Sequence, residues 1–292
     1  MGRVRLSAEP AGVCALTGAN GYLGSLIRKR LESAGWRVIC LTRQQPALFD
    51  QIHWSLNDQI AIADDLSRCG VTALIHAAWD FTQVRERDMR QVNVSGSLKL
   101  LDECCKAGVS RCLFISTISA FPGVRSLYGQ TKLTVEQSFA AKEGIIIRPG
   151  LIYGNSPGGM FGSLRKQVKQ SAVVPLIGDG SYPQYLVHED DLTLVIERLL
   201  KRANASSSPL TIAHPTPIPF RQLLTRIAEG EGAHPFFVKI PWRLIYAGLK
   251  FSEAFGLRLG FRSDSVISLV SQNPHPQIGD VTELGVSLRA FN

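Results

Sequence analysis

The 292-residue chain is long enough for one large domain or two small ones and for a sizeable core. With 45% apolar and 19% charged residues it has the composition of an ordinary globular protein, which excludes collagen-like, disordered and coiled-coil classes. The formal net charge is +8, but the basic residues are scattered and do not favour nucleic acid as a partner.

No apolar stretch reaches the ~18 residues that a membrane-spanning helix needs. The polar start also lacks a basic head followed by an apolar run, as a secretion signal would have. We therefore expect a cytoplasmic protein without a membrane span.

The first half of the chain repeats a unit of a short apolar run, a break and a helical pattern. Five runs are continuous and β-branched or Leu-rich, which indicates strands buried on both faces of a parallel sheet. The predicted strands are Val13–Thr17, Val38–Thr42, Thr72–Ala77, Cys112–Ser116 and Ile145–Ile147. The predicted crossover helices are Tyr22–Ala34, Asp88–Lys106 and Tyr128–Ala141. This alternation predicts an α/β fold with a doubly wound parallel sheet.

After Arg148 and Pro149 the pattern changes to clusters of Gly and Pro between shorter elements. We expect residues 10–155 to form a dinucleotide-binding domain of the Rossmann type, to which a helical segment within residues 186–202 returns. Residues 156–185 and 203–292 are then expected to form a smaller, discontinuous substrate-binding part.

The segment Thr17–Gly24 follows the first predicted strand and opens a helix. Gly18 suits the tight turn, Gly21 allows the backbone to approach a pyrophosphate, and Gly24 allows close packing of helix on strand. The helix N-terminus adds partial positive charge. In this strand-loop-helix setting the pattern predicts a dinucleotide cofactor.

The residue after the second strand bears on which cofactor is bound. An acidic residue about 20 positions after the loop would accept the 2′-hydroxyl of NAD, whereas an Arg can pair with the 2′-phosphate of NADP. Here the strand ends at Arg43, and no carboxylate follows before Asp50. The sequence favours NADP(H), with NAD(H) as the alternative.

Two further segments carry groups that can move a proton. Tyr128 and Lys132 are four residues apart and share one helix face. An ammonium beside a phenol lowers the phenol pKa, and the Thr117 hydroxyl can hold a carbonyl oxygen. Such groups can exchange a proton while a hydride moves elsewhere. On spacing alone, however, a Tyr/Lys pair is more often an exposed pair without a catalytic role.

Seven motifs occur in an order that resembles the NAD-dependent epimerase/dehydratase group of extended short-chain dehydrogenases/reductases. They span about two-thirds of the chain. The motifs are TGANGYLG (17–24), LIHAAW (74–79), NVSGS (93–97), FISTISAF (114–121), YGQTK (128–132), IIIRPGLIYG (145–154) and YLVHEDDL (185–192).

The resemblance implies a role for each matching residue. Tyr128 would be the acid/base, Lys132 would bind the nicotinamide ribose, and Thr117 would hold the substrate oxygen. Ser116, Ser119 and Phe121 would face the substrate. The residues implied to contact the cofactor are Gly18, Asn20, Gly21, Tyr22, Leu23, Gly24, Arg43, Ser55, Leu56, Ala77, Ala78, Tyr128, Lys132, Pro149 and Ile152.

The sequence also departs from the family pattern. Gln184 stands where an Arg commonly contacts the diphosphate of a nucleotide sugar, and a neutral amide cannot replace that ion pair. Either Arg258 or Arg262 compensates, or the substrate carries no diphosphate. Ser55 stands where the family has a carboxylate near the adenine.

The segment 241–258 has a helical apolar face formed by Leu244, Ala247, Gly248, Phe251 and Phe255. We expect this face to pack on its own domain; contact with a membrane surface or capping of an apolar pocket are alternatives. The six cysteines show no spacing typical of a metal site, so no metal is expected and reduced core residues are favoured.

The leading hypothesis is an enzyme, an NAD(P)-dependent reductase that interconverts a ketone and a secondary alcohol on a nucleotide sugar. Alternatives are a nucleotide-sugar 4-epimerase or dehydratase, a reductase of a lipid-like or aromatic carbonyl, and a cofactor-binding scaffold or redox sensor without turnover. The expected partner is a small-molecule substrate, and the resemblance leaves a homodimer open.

Overall fold

The computed structural model of the protein describes residues 11–46, 49–58, 60–156, 158–202, 208–257 and 261–292. Its strands are β1 (Val13–Thr17), β2 (Arg37–Thr42), β3 (Gln51–His53), β4 (Ala73–His76), β5 (Arg111–Ile115), β6 (Ile145–Pro149), β7 (Leu151–Tyr153), β8 (Val173–Ile177), β9 (Pro183–Gln184), β10 (Leu186–His188), β11 (Leu210–Ile212), β12 (Ile218–Pro219) and β13 (Phe236–Ile240). Its α-helices are α1 (Tyr22–Ser33), α2 (Ala63–Arg68), α3 (Glu86–Met89), α4 (Gly96–Lys106), α5 (Leu127–Ala140), α6 (Gly159–Gln170), α7 (Glu189–Lys201), α8 (Phe220–Gly230), α9 (Trp242–Ala254) and α10 (Ser263–Val270). A π-helical turn, Arg90–Ser95, joins α3 to α4, and a short 3₁₀ helix covers Thr282–Leu284.

The central sheet has seven strands in the order β11-β6-β5-β4-β1-β2-β3, and every pairing in it is parallel. Both faces of each inner strand are covered, which explains the continuous apolar runs. In β1, Cys14 and Leu16 belong to the core layer with α1 and α7, whereas Ala15 belongs to the layer with α4 and α5. The predicted doubly wound parallel sheet is confirmed.

The strand order reverses between β1 and β4, because the chain moves first to β2 and β3 and then returns to the other side of β1. In open parallel sheets a ligand binds at such a reversal, outside the carboxyl ends of the strands. The segments that follow β1, β2, β4 and β5 start at this edge and include predicted site residues such as Gly18, Arg43, Ala77 and Thr117.

Three short strand pairs lie outside the central sheet: β7 with β10, β9 with β12, and β8 with β13. A separate apolar cluster joins α6, α8 and these strands, with Phe161, Leu164, Leu176 and Leu223 among its members. The division into two parts stays a prediction, with one correction. The edge strand β11 joins the central sheet beside β6, although residues 203–292 were expected to belong to the smaller part.

The six cysteines form no disulfide; Cys14, Cys40, Cys104 and Cys112 are buried, and Cys105 is exposed. None of the helices in the described part of the chain is long and apolar enough to cross a membrane.

Candidate active site

The glycine loop after β1 is shaped by close contacts that only glycine allows. Gly18 has a φ of +70°, and a Cβ there would lie 3.0 Å from the Ala78 nitrogen. A Cβ on Gly24 would lie 2.0 Å from the Gly18 carbonyl oxygen. Gly18 therefore forms a left-handed turn against the end of β4, and Gly24 lets α1 pack on the loop.

The N-terminus of α1 fits the predicted diphosphate. Gly21 precedes the helix and has no side chain to cap it, and none of the described side chains accepts a hydrogen bond from the N–H groups of the first turn. Asn20 and Gly21 are exposed, while Leu23 packs against the core. Uncapped backbone N–H groups at a helix N-terminus attract anions. The glycine cradle and the uncapped helix are thus suited to a dinucleotide.

The side chain of Tyr22 connects this loop to the start of α7. Its hydroxyl donates to the Glu189 carboxylate at 2.7 Å, and Glu189 also accepts from the backbone N–H groups of Asn155 and Ser156. A Cβ on Gly158 would lie 2.5 Å from the Tyr22 ring. Glu189 therefore holds the segment after β7 against the glycine loop, a role that the sequence analysis missed.

A buried hydrogen-bond chain positions the backbone after β4. The Thr17 hydroxyl oxygen accepts from the N–H groups of Ala77 and Ala78, each at 3.0 Å, and lies 2.8 Å from His76 Nδ1. Ala77 and Ala78 are thereby fixed beside the glycine loop, where the cofactor is expected.

The same chain continues from His76 into α4. His76 Nε2 lies 2.8 Å from the Ser97 hydroxyl, which donates to the Asn93 carbonyl oxygen at 2.5 Å. Because Ser97 uses its proton on Asn93, Nε2 carries the proton of the imidazole and Nδ1 accepts from Thr17. Burial and the charge of Lys132 lower the pKa of His76 to about 3, so the ring is neutral and structural.

The Asn93 side chain fixes the loop that leaves β4. Its amide accepts from the Asp80 N–H at 2.7 Å and donates to the Asp80 carbonyl oxygen at 3.0 Å. Burial alone would raise the pKa of the Asp80 carboxyl. Hydrogen bonds from Thr82 and Gln83 and the charge of Arg43 hold it below its ordinary value. Arg43 itself is exposed and directly follows β2.

Ser55 and Leu56 lie where β3 leads toward α2. The Ser55 hydroxyl donates to the Asp58 carboxylate at 2.8 Å and accepts from the backbone N–H of Asn57 and Asp58. A carboxylate is thus present beside Ser55, three residues later than the family pattern has it. Leu56 packs on α4, since a Cβ on Gly96 would lie 2.4 Å from its carbonyl oxygen.

Tyr128 lies in the first turn of α5, between two aromatic rings. The Trp79 ring meets it edge-on at 6.0 Å between centroids, and the Phe81 ring lies 5.7 Å away. Burial raises the pKa of Tyr128 to about 12, and the hydrogen bond with Thr117 opposes that shift. The expectation that Lys132 lowers this pKa is therefore wrong, because desolvation dominates in this arrangement.

The Lys132 ammonium group is buried on the same helix face as Tyr128. It donates to the Ile115 carbonyl oxygen at 2.7 Å and lies 4.0 Å above the Trp79 ring. Burial lowers the pKa of Lys132 to about 7, although Glu136 opposes the shift. The ammonium is therefore held at the end of β5 by a carbonyl and an aromatic face.

Ser116 does not occupy the position that the resemblance implied. It is 3% exposed and donates to the Glu136 carboxylate, which Arg148 also binds through two nitrogens. Because the buried Glu136 needs hydrogen-bond donors, Ser116 turns into the protein and away from a substrate. Glu136 and Arg148 were missed because neither belongs to the proton-moving pattern.

Hydrogen bonds bring the segments after β5 and β6 together. Ser119 donates its N–H to the Thr117 hydroxyl oxygen at 3.2 Å, and the Ile118 N–H donates to the Pro149 carbonyl oxygen at 3.0 Å. Phe121 is half-buried nearby in the chain, and Ile152 lies in β7. Thr117 and Pro149 therefore share one edge of the site.

The two polar residues expected to reach the substrate are engaged within the protein. Gln184 is 9% exposed and its amide donates to the carbonyl oxygens of Tyr182 and Pro183. Arg262 donates to the carbonyl oxygens of Phe81 and Gln83 at 3.1 and 2.8 Å. Arg258 lies outside the described residues.

Comparison with known families agrees with this architecture. Residues 14–213, more than half of the chain, match the family described as NAD dependent epimerase/dehydratase. The chain belongs to this family. The roles of its individual residues remain predictions.

Named relatives include reductases. The chain is 23% identical over 248 residues to ceramide reductase of Caulobacter vibrioides, covering 81% of this chain and 76% of that protein. It is 26% identical over 255 residues to 2-alkyl-3-oxoalkanoate reductase of Stenotrophomonas maltophilia, with 75% of each covered. The chain spans 50% of the length of an uncharacterized protein of Sinorhizobium fredii and 23% of that of an uncharacterized protein of Mycobacterium bovis.

Among solved structures, an epimerase of Methanothermobacter thermautotrophicus is similar, with a TM-score of 0.70, 18% identity and coverage of 80% of this chain and 81% of that one. MoeE5, solved with UDP-glucuronic acid and NAD, has a TM-score of 0.69 at 20% identity, covering 96% of this chain and 95% of that one. At these identities the similarity shows the fold alone.

Proposed function

We propose that this family member is a nicotinamide-dependent oxidoreductase that interconverts a ketone and a secondary alcohol on an apolar, lipid-like compound. The observation that carries this proposal is the aromatic surrounding of Tyr128. Trp79 and Phe81 pack against the phenol, and Phe81 is 57% exposed and available to an apolar ligand. The Trp79 indole N–H is buried and has no hydrogen-bond partner among the described residues.

The protein's contribution to the chemistry is the movement of one proton. A bound nicotinamide supplies or accepts the hydride. The neutral Tyr128 hydroxyl, whose pKa of about 12 keeps it protonated near pH 7, donates its proton to the substrate oxygen during reduction. Thr117 orients that hydroxyl, and Lys132 would bind the nicotinamide ribose, as the family resemblance implies.

The engaged positions of Gln184 and Arg262 support an uncharged substrate. A diphosphate is recognised through cationic groups. Gln184 has no charge, and its amide nitrogen donates to the carbonyl oxygen of Pro183 in the same strand. Arg262 directs two nitrogens to backbone carbonyls, and its buried Nε has no partner among the described residues. The names ceramide reductase and 2-alkyl-3-oxoalkanoate reductase support the same substrate class. This choice favours the lipid-like alternative over the nucleotide sugar that the sequence ranked first.

We propose NADP(H) as the preferred cofactor. Arg43 is exposed directly after β2 and its charge reaches the Asp80 carboxyl of the loop after β4. An exposed guanidinium at this edge suits the 2′-phosphate, because charge-assisted hydrogen bonds to phosphate are strong. NAD(H) remains the alternative, because MoeE5, which has a similar fold, was solved with NAD.

The test follows oxidation of NADPH and NADH by absorbance in the presence of three substrates: a long-chain 3-oxoacyl ester, a steroid ketone and a 4-keto nucleotide sugar. We expect turnover with an apolar ketone and loss of turnover in Tyr128→Phe. Turnover with the nucleotide sugar alone would overturn the substrate class. An unchanged rate in Tyr128→Phe would overturn the acid/base assignment.

A further inference from the structure

The helix α9 turns its apolar face outward. Only Leu249 and Ser252 of this helix are buried, whereas Leu244 is 65% exposed and Phe251 67% exposed. Phe255, directly after the helix, is 68% exposed. At 3.6 residues per turn these three apolar residues lie on one side of the helix, opposite Leu249. The expectation that this face packs on its own domain is therefore wrong.

The orientation of α9 is set by polar contacts on its inner side. Glu253 accepts from both the N–H and the hydroxyl of Ser263 at the start of α10, each at 2.8 Å. The Ser252 hydroxyl donates to the Leu249 carbonyl oxygen. The two bonds from Ser263 direct the one acidic side chain of the helix toward α10, so rotation of the apolar face into the protein would break them.

Positive charge borders the exposed apolar face. Arg243 and Lys250 are both exposed, and on a helical projection they lie together along one flank of Leu244 and Phe251. The Arg243 guanidinium lies 5.5 Å from the centre of the Trp242 ring. A helix with a bulky apolar face, basic residues beside it and aromatic residues at its start is typical of helices that lie in a membrane interface.

We propose that the outward face of α9, bordered by Arg243 and Lys250, docks on the surface of an anionic phospholipid bilayer. Charge complementarity selects this occupant: the basic flank attracts anionic headgroups, while the apolar side chains enter the headgroup boundary. Two copies of this chain would instead bring the same cationic residues together, in molecules that already carry a net charge of +8.

The helix α9 shares a cavity with α5, the helix that carries Tyr128. Tyr246, Lys250 and Glu253 of α9 border a cavity of about 340 Å³ that is also lined by Leu127 and Gln130 of α5. Docking would place α5, with Tyr128, near an apolar substrate held in the bilayer. Only this functional consequence rests on the proposed lipid-like substrate; the docking itself rests on the exposed face and its charges.

The test is co-sedimentation of the full chain with phosphatidylcholine vesicles, with and without phosphatidylglycerol. We expect binding to the vesicles that contain phosphatidylglycerol, weakened by salt. Phe251→Glu and Leu244→Glu should each lower the partition coefficient about tenfold or more, because they put a carboxylate in the apolar face. Lys250→Glu should weaken binding to anionic vesicles specifically.

Matched controls test whether the effect belongs to this face. Phe49 is 98% exposed and lies before β3, so Phe49→Glu makes the same chemical change elsewhere; Lys29→Glu on α1 is the counterpart of Lys250→Glu. Both controls should bind as the wild type does. Thermal unfolding and NADPH affinity, measured on every variant, identify any variant that fails to fold. Leu244→Glu and Phe251→Glu test the same face at two separate positions.

Three results would overturn the proposal: no wild-type binding to anionic vesicles, unchanged binding in the folded Phe251→Glu and Leu244→Glu variants, or equal loss in the controls. Sedimentation velocity adds a further outcome. A wild-type dimer that Phe251→Glu dissociates, without vesicle binding, would assign the face to a second copy instead. Vesicle binding is measured without substrate. Binding without ketone reduction would therefore support docking alone, and ketone reduction without binding would support the proposed function alone.

Discussion

The Asp264 carboxylate holds the N-terminus of the helix that carries Tyr128 and Lys132. Its two oxygens accept from the backbone N–H groups of Leu127 and Tyr128 at 2.8 and 2.9 Å. These are the first donors of α5, which have no partner within the helix itself. The Ser126 hydroxyl oxygen accepts from the next free donor, Gly129. A residue of α10 therefore positions the backbone of the candidate acid/base.

We expect Asp264→Ala to destabilise the protein by about 2 kcal/mol. Each hydrogen bond to a charged group contributes roughly 1.5–3 kcal/mol. The site is only partly buried, so water replaces part of what is lost. Removing a negative charge from a helix N-terminus adds about 0.3–1 kcal/mol. Asp264→Asn keeps one oxygen acceptor without the charge and should lose about half as much.

The assay is urea unfolding, with Asp102→Asn as the control. Asp102 is exposed on α4, so its substitution should change stability by less than about 0.5 kcal/mol. We also expect Asp264→Asn to lower turnover more than it lowers NADPH affinity, because it displaces Tyr128 and leaves the glycine loop intact. If Asp264→Ala unfolds at the wild-type urea midpoint, the capping argument is refuted.

Three further predictions concern the cofactor, the proton and pH. Arg43→Ala should weaken NADPH binding about tenfold or more, leaving NADH affinity and stability unchanged, because the side chain is exposed; calorimetry that shows equal losses for both nucleotides would refute the phosphate contact. Tyr128→Phe should retain the wild-type melting temperature but lose about 10²–10⁴-fold in turnover. The buried, neutral His76 has its pKa lowered from 6.5 to about 3, so the stability it contributes is complete above pH 6.5 and is lost as pH falls toward 3. His76→Asn should therefore show a shallower loss of stability on acidification, and an unchanged slope would count against a neutral ring.

Local patterns in the sequence were enough to predict the architecture. The strand Val13–Thr17 and the start of α1 at Tyr22 agree with the prediction, and the other long strands differ by one or two residues at their ends. Continuous apolar runs and glycine spacing are local properties, which is why they can be read without the fold. The short strands β3 and β11 were missed, because three residues at a sheet edge carry little periodic signal.

The contacts around the site could not be read from spacing. The four-residue separation of Tyr128 and Lys132 places them on one helix face, but only the packing shows that the Lys132 ammonium is bound to the Ile115 carbonyl. Glu136 likewise turns Ser116 inward from 20 residues away in the chain. Such partners come from distant elements, so their effect on pKa and orientation appears only when those elements are packed.

The helix α9 separates the two kinds of information most clearly. The sequence by itself determined that Leu244, Phe251 and Phe255 share one helix face, because helical periodicity is a property of the chain. Only the tertiary structure decided that this face points outward, through the contacts of Glu253 with Ser263 on α10. Periodicity specifies which side chains lie together, whereas the neighbouring elements determine whether anything covers them.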